Sequence, residues 1–137
     1  MSAGPKPTDI NLHQKSRVLE IAFDDGERFD LSCEYLRVYS PSAEVRGHGP
    51  GQEVLQIGKE NVNITGIEPV GNYAIQLEFD DGHNSGIYSW ETLYVLGKNK
   101  EELWADYLRR LEEAGHKHKD THAADKQDAT GVFIHKP

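Results

Sequence analysis

The sequence predicts an α+β fold: a small antiparallel β framework built from two similar hairpin units, with a short helical turn and one C-terminal helix packed on the sheet. Three observations carry this reading. Arg17-Val-Leu-Glu-Ile-Ala-Phe-Asp-Asp-Gly26 returns as Tyr73-Ala-Ile-Gln-Leu-Glu-Phe-Asp-Asp-Gly82, and after one added residue Cys33-Glu-Tyr-Leu-Arg-Val38 is echoed by Trp90-Glu-Thr-Leu-Tyr-Val95. Each copy alternates apolar and polar residues into an Asp-Asp-Gly turn and runs out again, the pattern of a two-stranded hairpin. Beyond the second copy, Leu103, Tyr107, Leu108 and Leu111 recur at helical spacing.

In chain order, residues 1–8, with Pro5 and Pro7, read as a flexible N-terminus. The first strand is expected near Ile10 or Arg17. Residues 17–23 and 28–31 pair across the Asp24-Asp25-Gly26 turn. Ser32 caps a short helical segment in which Tyr35 and Leu36 point inward, and Pro41 forbids a long continuation. Gly47-His-Gly-Pro-Gly51 is a loop, because three glycines and a proline in five residues sustain neither helix nor strand. Short strands are expected at 53–57 and 62–65, followed by the second hairpin. Asn99-Lys-Glu-Glu102 has the spacing of a capping box, and the helix it opens should run from about 100 to 114, where Gly115 stops it. Trp90, Tyr35 and Leu36 are expected to anchor the core between the repeats. The domain is therefore placed at 9–115, and 116–137 reads as a disordered, His-rich tail.

Composition narrows the function. A chain of 137 residues holds one core and one domain. Residues 1–115 carry 11 Lys and Arg against 20 Asp and Glu, while 116–137 carry 4 against 3. An acidic folded part repels phosphate backbones and anionic lipid heads, so neither nucleic acid nor membrane is an expected partner. A protein partner is expected instead. The single cysteine, Cys33, excludes an internal disulfide, and no apolar run is long enough to span a bilayer. These features point to the reducing cytoplasm.

Catalytic motifs do not emerge. The glycine loop lacks the Gly-Lys-Ser/Thr ending of a phosphate cradle, and Gly58-Lys59 is followed by Glu60. Asp24-Asp25 and Asp80-Asp81 read as turn formers rather than acid/base dyads, since adjacent turn residues face different ways. Cys33 has no base placed beside it and reads as a small buried hydrophobe. His116, His118 and His122 read as solvated tail residues. His48 in the glycine loop and His83 at the second turn form a candidate pair.

Tyr35-Leu-Arg-Val-Tyr-Ser-Pro-Ser-Ala-Glu-Val45, the 47–51 loop, Ile67-Glu-Pro-Val-Gly-Asn-Tyr73 and Phe79-Asp-Asp-Gly-His-Asn-Ser-Gly-Ile-Tyr-Ser-Trp90 together resemble the gamma-butyrobetaine hydroxylase-like N-terminal family over about residues 8–114. The resemblance implies a small α+β domain that occurs alone in bacteria, ahead of an oxygenase domain, or attached to P-loop proteins that carry iron–sulfur clusters. It also implies a structural zinc, held in the hydroxylases by a Cys-x-Cys-x-x-Cys run and a later histidine. The matching positions here are Ser40, Ser42 and Val45, leaving His83 as the one matching ligand. Serine hydroxyls are not deprotonated at neutral pH and valine cannot ligate. Hydrogen bonds among Ser40, Ser42 and His83 are expected where the zinc would be.

The resulting functional expectation is a non-catalytic binding or adaptor domain without a cofactor, linked to iron or iron–sulfur metabolism. The alternative is a metal-binding protein, or a component of a metal-dependent oxidoreductase, using iron or zinc. The surface around Arg37, His48, His83 and Tyr88 is the expected binding site, with Arg37 supplying a planar donor fork for a carboxylate. In the opposing reading, Arg37 pairs internally with Glu34 or Glu91 and supports the fold.

Overall fold

The computed structural model describes residues 4–42, 45, 54–118 and 129–135, the last segment by its backbone. The repeat proves larger than the sequence echo. In the first unit, strands β1 (Pro7–His13), β2 (Val18–Phe23) and β3 (Arg28–Ser32) lead into helix α1 (Cys33–Val38). In the second, β4 (Ile64–Val70), β5 (Ala74–Phe79) and β6 (Ile87–Ser89) lead into α2 (Trp90–Lys98). Helix α3 (Lys100–Glu113) and strand β7 (Ala129–His135) follow. Both sheets are antiparallel, in the orders β3-β2-β1-β7 and β4-β5-β6.

The two units are built by the same local chemistry. In each turn the glycine takes a positive φ, 91° at Gly26 and 89° at Gly82, a region that costs a side-chain-bearing residue energy. Asp25 and Asp81 form the turns as expected, each accepting a bond from the amide two residues on, Glu27 at 3.0 Å and His83 at 3.2 Å. Ser32 accepts from the Tyr35 amide at 3.0 Å and Ser89 from the Thr92 amide at 3.0 Å, so each helix opens on a serine cap.

The core lies between the two sheets and their helices. Ile10, Leu12, Leu19, Ile75, Leu77 and Leu93 are buried there. Tyr35 and Leu36 are core residues as expected, with 1% and 0% exposure. Trp90 is not: it is only partly buried, and its indole N–H reaches the Asn72 carbonyl at 2.8 Å. The centre of the second unit is filled instead by Tyr88 and Leu93, each with no exposed surface.

Helix α3 has no counterpart in the first unit. Its Tyr107 and Leu111 cover Val38 at the end of α1. Val95, the repeat equivalent of Val38, is left 46% exposed on α2. The helix spans the predicted range, but its capping box does not form: Asn99 makes no side-chain cap bond. Asn99 also ends α2, with φ −106° and its amide bonded to the Val95 carbonyl at 3.0 Å. That backbone is not extended as a side-chain cap requires.

Other expectations fail for non-local reasons. Pro7 and Thr8, expected to be flexible, open β1, where Pro7 opposes Phe23. No strand forms at 54–57, where Val54 and Ile57 are about half exposed and have no face to bury. The second short strand starts at Ile64 and runs to Val70, passing Pro69 because β4 is an edge. Within the segment expected to be disordered, 129–135 is a strand paired antiparallel with β1. His118, expected in solvent, sits 2.8 Å and 3.0 Å from the two Glu34 carboxylate oxygens and edge-on to the Trp104 ring.

A further consequence of this packing concerns Gly97 on α2. A Cβ there would run into the Phe29 ring of β3. Gly97→Ala is expected to lower stability by about 1–2 kcal/mol in denaturant unfolding, because crowding an aromatic ring outweighs the helix-propensity gain of about 1 kcal/mol.

Candidate binding site

The polar residues singled out by sequence converge where the two units meet. Arg37, in the last turn of α1, donates from Nε to Asp81 Oδ2 at 2.9 Å in the second Asp-Asp-Gly turn. Lys59 donates to the same oxygen at 2.7 Å. Burial alone would raise the Asp81 carboxyl, but Lys59, the His83 amide and Arg37 outweigh it and hold the group down to about 2. Arg37 therefore pairs internally, with Asp81 rather than with Glu34 or Glu91. Its Nη1 is buried without a hydrogen-bond partner among the described residues.

The clasp is reciprocal. Tyr94 on α2 is the repeat equivalent of Arg37, and its hydroxyl donates to Asp25 Oδ2, in the first turn, at 2.6 Å. Two core tyrosines cross in the same way. Tyr35 of α1 donates to the Leu96 carbonyl of α2 at 2.6 Å, and Tyr88 of β6 donates to the Leu36 carbonyl of α1 at 2.6 Å. Each unit thus supplies donors to the other, to solvent-facing turn carboxylates at Asp25 and Asp81 and to helix-end carbonyls at Leu36 and Leu96 that would otherwise be buried unpaired.

Beside this clasp lies the expected serine–histidine network. His83 Nε2 and Ser40 Oγ are 2.9 Å apart, Ser40 Oγ accepts from the Ser42 amide at 3.2 Å, and Ser42 Oγ lies 2.7 Å from Ser85 Oγ. Gly86 makes room for it, since a Cβ there would collide with Ser40 Oγ. The residues present do not fit a zinc ion. The hydroxyls are engaged in hydrogen bonds, and Val45, at the third cysteine position, is an apolar side chain with 4% exposure. Among the described residues, no group of three or more His, Cys, Asp or Glu side chains is arranged to hold a metal.

Of the four expected site residues, the structure brings Arg37, His83 and Tyr88 to this junction, but with 8%, 5% and 0% exposure they face inward. His48 lies outside the described residues. The Cys33 thiol is fully buried, pushed up to about 12 by desolvation, and lies 3.7 Å from Asn63 Oδ1. It stays a neutral thiol at physiological pH.

Sequence reasoning missed the open space next to the junction. A cleft of about 450 Å³ is bounded by the exit of α1, residues 54–56, α2 and α3. Val38, Pro41, Leu55 and Val95 supply apolar wall, Glu91 and Arg110 supply opposite charges, and Ser40 connects the wall to the buried network. The Tyr107 hydroxyl is turned away from free use, its one proton directed to Glu34 Oε2 at 3.1 Å with the Gln56 carbonyl also within 3.3 Å. The signal available in the sequence was the repeat itself, which sets Val95 in the place of Val38 while only one further helix follows to cover either.

Comparison with known proteins agrees with the fold. The family model described as gamma-butyrobetaine hydroxylase-like, N-terminal, matches residues 10–94. Two proteins with NMR solution structures are similar to this chain. One is 53% identical, covering 92% of this chain and 97% of its own, with a TM-score of 0.74. The other is 47% identical, covering 89% and 96%, with a TM-score of 0.72. A crystal structure of a protein of unknown function from Acidithiobacillus ferrooxidans, assigned to the DUF971 family, is 40% identical over 67% of this chain and 92% of its own, with a TM-score of 0.57. No curated protein matches. No helix among the described residues is long and apolar enough to cross a membrane.

Proposed function

From the premise that this chain belongs to the gamma-butyrobetaine hydroxylase-like N-terminal family, we propose that it is a non-catalytic binding or adaptor domain that receives a protein partner at the cleft beside Val95. One observation carries this reading: the reactive-looking side chains at the junction are spent on holding the two units together, while the adjoining cleft presents uncovered apolar wall. Arg37 and Lys59 neutralise Asp81, His83 is bonded to Ser40, and Cys33 is a buried thiol. With 5% exposure at His83, 1% at Ser40 and 0% at Cys33, these groups are poorly placed to meet a substrate. A half-exposed valine flanked by Glu91 and Thr92 on a rigid helix suits docking.

The partner is a protein with an apolar anchor and a basic rim, since a net charge of −8 opposes polyanions and favours cations. Nucleic acid and membrane surfaces are not its targets. The resemblance to domains attached to iron–sulfur carriers supports a place in iron or iron–sulfur metabolism, and the lone thiol suits a reducing cytoplasm. No cofactor is required in this reading.

The test is Val95→Asp in the full chain, used as bait against extract of the native host. Capture of the partner is expected to fall at least tenfold, while the unfolding free energy changes by less than about 0.5 kcal/mol, as for other exposed positions. Undiminished capture would place the docking surface elsewhere.

A further inference from the structure

The first sheet is closed on one side by a strand that comes from far along the chain. Strands β1, β2 and β3 form one continuous meander within residues 7–32, whereas β7 arrives after α3 and a connection of fifteen residues, 114–128. β7 lies beyond residues 10–94, the span matched by the family model. The Acidithiobacillus relative aligns over 92% of its own length but only 67% of this chain, so a folded relative is built almost entirely without a third of these residues.

The ladder itself is the least regular in this sheet. β2 and β3 pair without a register shift and β1 and β2 pair with one, whereas β1 and β7 shift register twice, between Ile10 and Asn11 and between Leu12 and His13. Each shift leaves a residue unpaired and weakens the local ladder. On its other edge β1 is paired with β2 from Pro7 to His13, and Ile10 and Leu12 belong to the core cluster. Without β7 the outer N–H and C=O groups of β1 have no ladder partner, the condition in which an edge strand recruits another chain.

We propose that the outer edge of β1 is a strand-docking site, filled in cis by the chain's own β7 and in trans by the β7 of a second copy. The second copy is the occupant because its residues 129–135 carry the sequence whose register on β1 is established: Asp9 opposite His135, Ile10 opposite Ile134, Asn11 opposite Val132. With His118 held on Glu34 and Trp104, the ten residues 119–128 set the reach of the strand, at most about 35 Å, which spans to a closely apposed copy. Exchange keeps every ladder bond and changes only which chain supplies the strand, the low-cost route to a dimer. Cis pairing competes at an effective concentration on the order of millimolar, so the exchanged form grows with protein concentration. This inference is independent of the cleft.

Sedimentation velocity on the full chain, from about 10 µM to about 1 mM, tests it together with NMR on mixed populations labelled with different isotopes. The dimer fraction is expected to rise at least tenfold across that range, with intermolecular contacts between β1 of one copy and β7 of the other. Val132→Pro, which removes a backbone donor from the strand, is expected to abolish the dimer. A wild-type chain that stays monomeric, a dimer without β1–β7 contacts between copies, or a Val132→Pro chain that dimerises equally would overturn the proposal. Should the proline variant fail to fold, the mixed-label contacts in the wild type decide the matter alone.

Discussion

Replacing Tyr88 by alanine is expected to cost about 4 kcal/mol in denaturant unfolding, the largest loss from a single side chain at the junction. Two terms add. Tyr88 has no exposed surface, and removing a buried aromatic ring leaves a cavity that typically costs 3–5 kcal/mol. Its hydroxyl also donates to the Leu36 carbonyl at 2.6 Å, and that carbonyl would lose its donor from the second unit. Tyr88→Phe separates the terms: it keeps the ring and removes one donor, so about 1–2 kcal/mol is expected. Burial pushes the Tyr88 hydroxyl well above its ordinary range, so it is a donor at neutral pH. If the phenylalanine variant were as unstable as the alanine variant, the hydroxyl rather than the ring would be joining the units.

The second large effect is expected at Asp81. Asp81→Asn strips the charge partner from Arg37, whose side chain is 9% exposed, and removing one member of a buried pair costs about 3 kcal/mol because the other is stranded. The same carboxylate sets an acid limit. Its folded value of about 2 lies below its ordinary 3.8, so the fold favours the ionised form. The stability this contributes is present above about pH 4 and is lost as pH falls toward 2, amounting to about 2 kcal/mol. Unfolding free energy measured from pH 5 to pH 2 is expected to fall less steeply in Asp81→Asn than in the wild type. Equal slopes would mean that Asp81 is not held by Arg37 and Lys59.

These two residues also illustrate what a sequence discloses. The Asp-Asp-Gly turns and the Ser32 cap were legible because their chemistry is complete within a few residues: a glycine at positive φ, a carboxylate bonded two residues on, a hydroxyl bonded three residues on. The serine–histidine network is legible through the family resemblance, which aligns Ser40, Ser42 and His83 with the ligand positions of the hydroxylases. The partner of Arg37 was not, because Asp81 is 44 positions away and the charge pattern around Arg37 offered nearer acids. The inward orientation of Arg37, His83 and Tyr88 was hidden for the same reason, since burial follows from how the units dock.

Element identity failed where tertiary context decides. Helix α2 was recognised only as an echo of 33–38, although it runs on to Lys98 and meets α3 at Asn99 with no loop between them. The apolar triplet 132–134 stands in a polar tail and becomes strand only because β1 offers an edge. Strands β1 and β4 occupy equivalent places in the two units without a recognisable common sequence, so the full three-strand repeat was invisible until its pairing was known.

The Arg37–Asp81 and Ser40–His83 contacts join the two units at the positions where the resemblance to the hydroxylases implies a metal. The most direct measurement is metal content per chain in the purified full-length protein, followed by thermal unfolding with and without a strong chelator. No stoichiometric metal is expected, and an unfolding midpoint that the chelator does not move. About one iron or zinc per chain, with a midpoint that falls on chelation and recovers when the metal is returned, would contradict it and favour the metal-binding alternative.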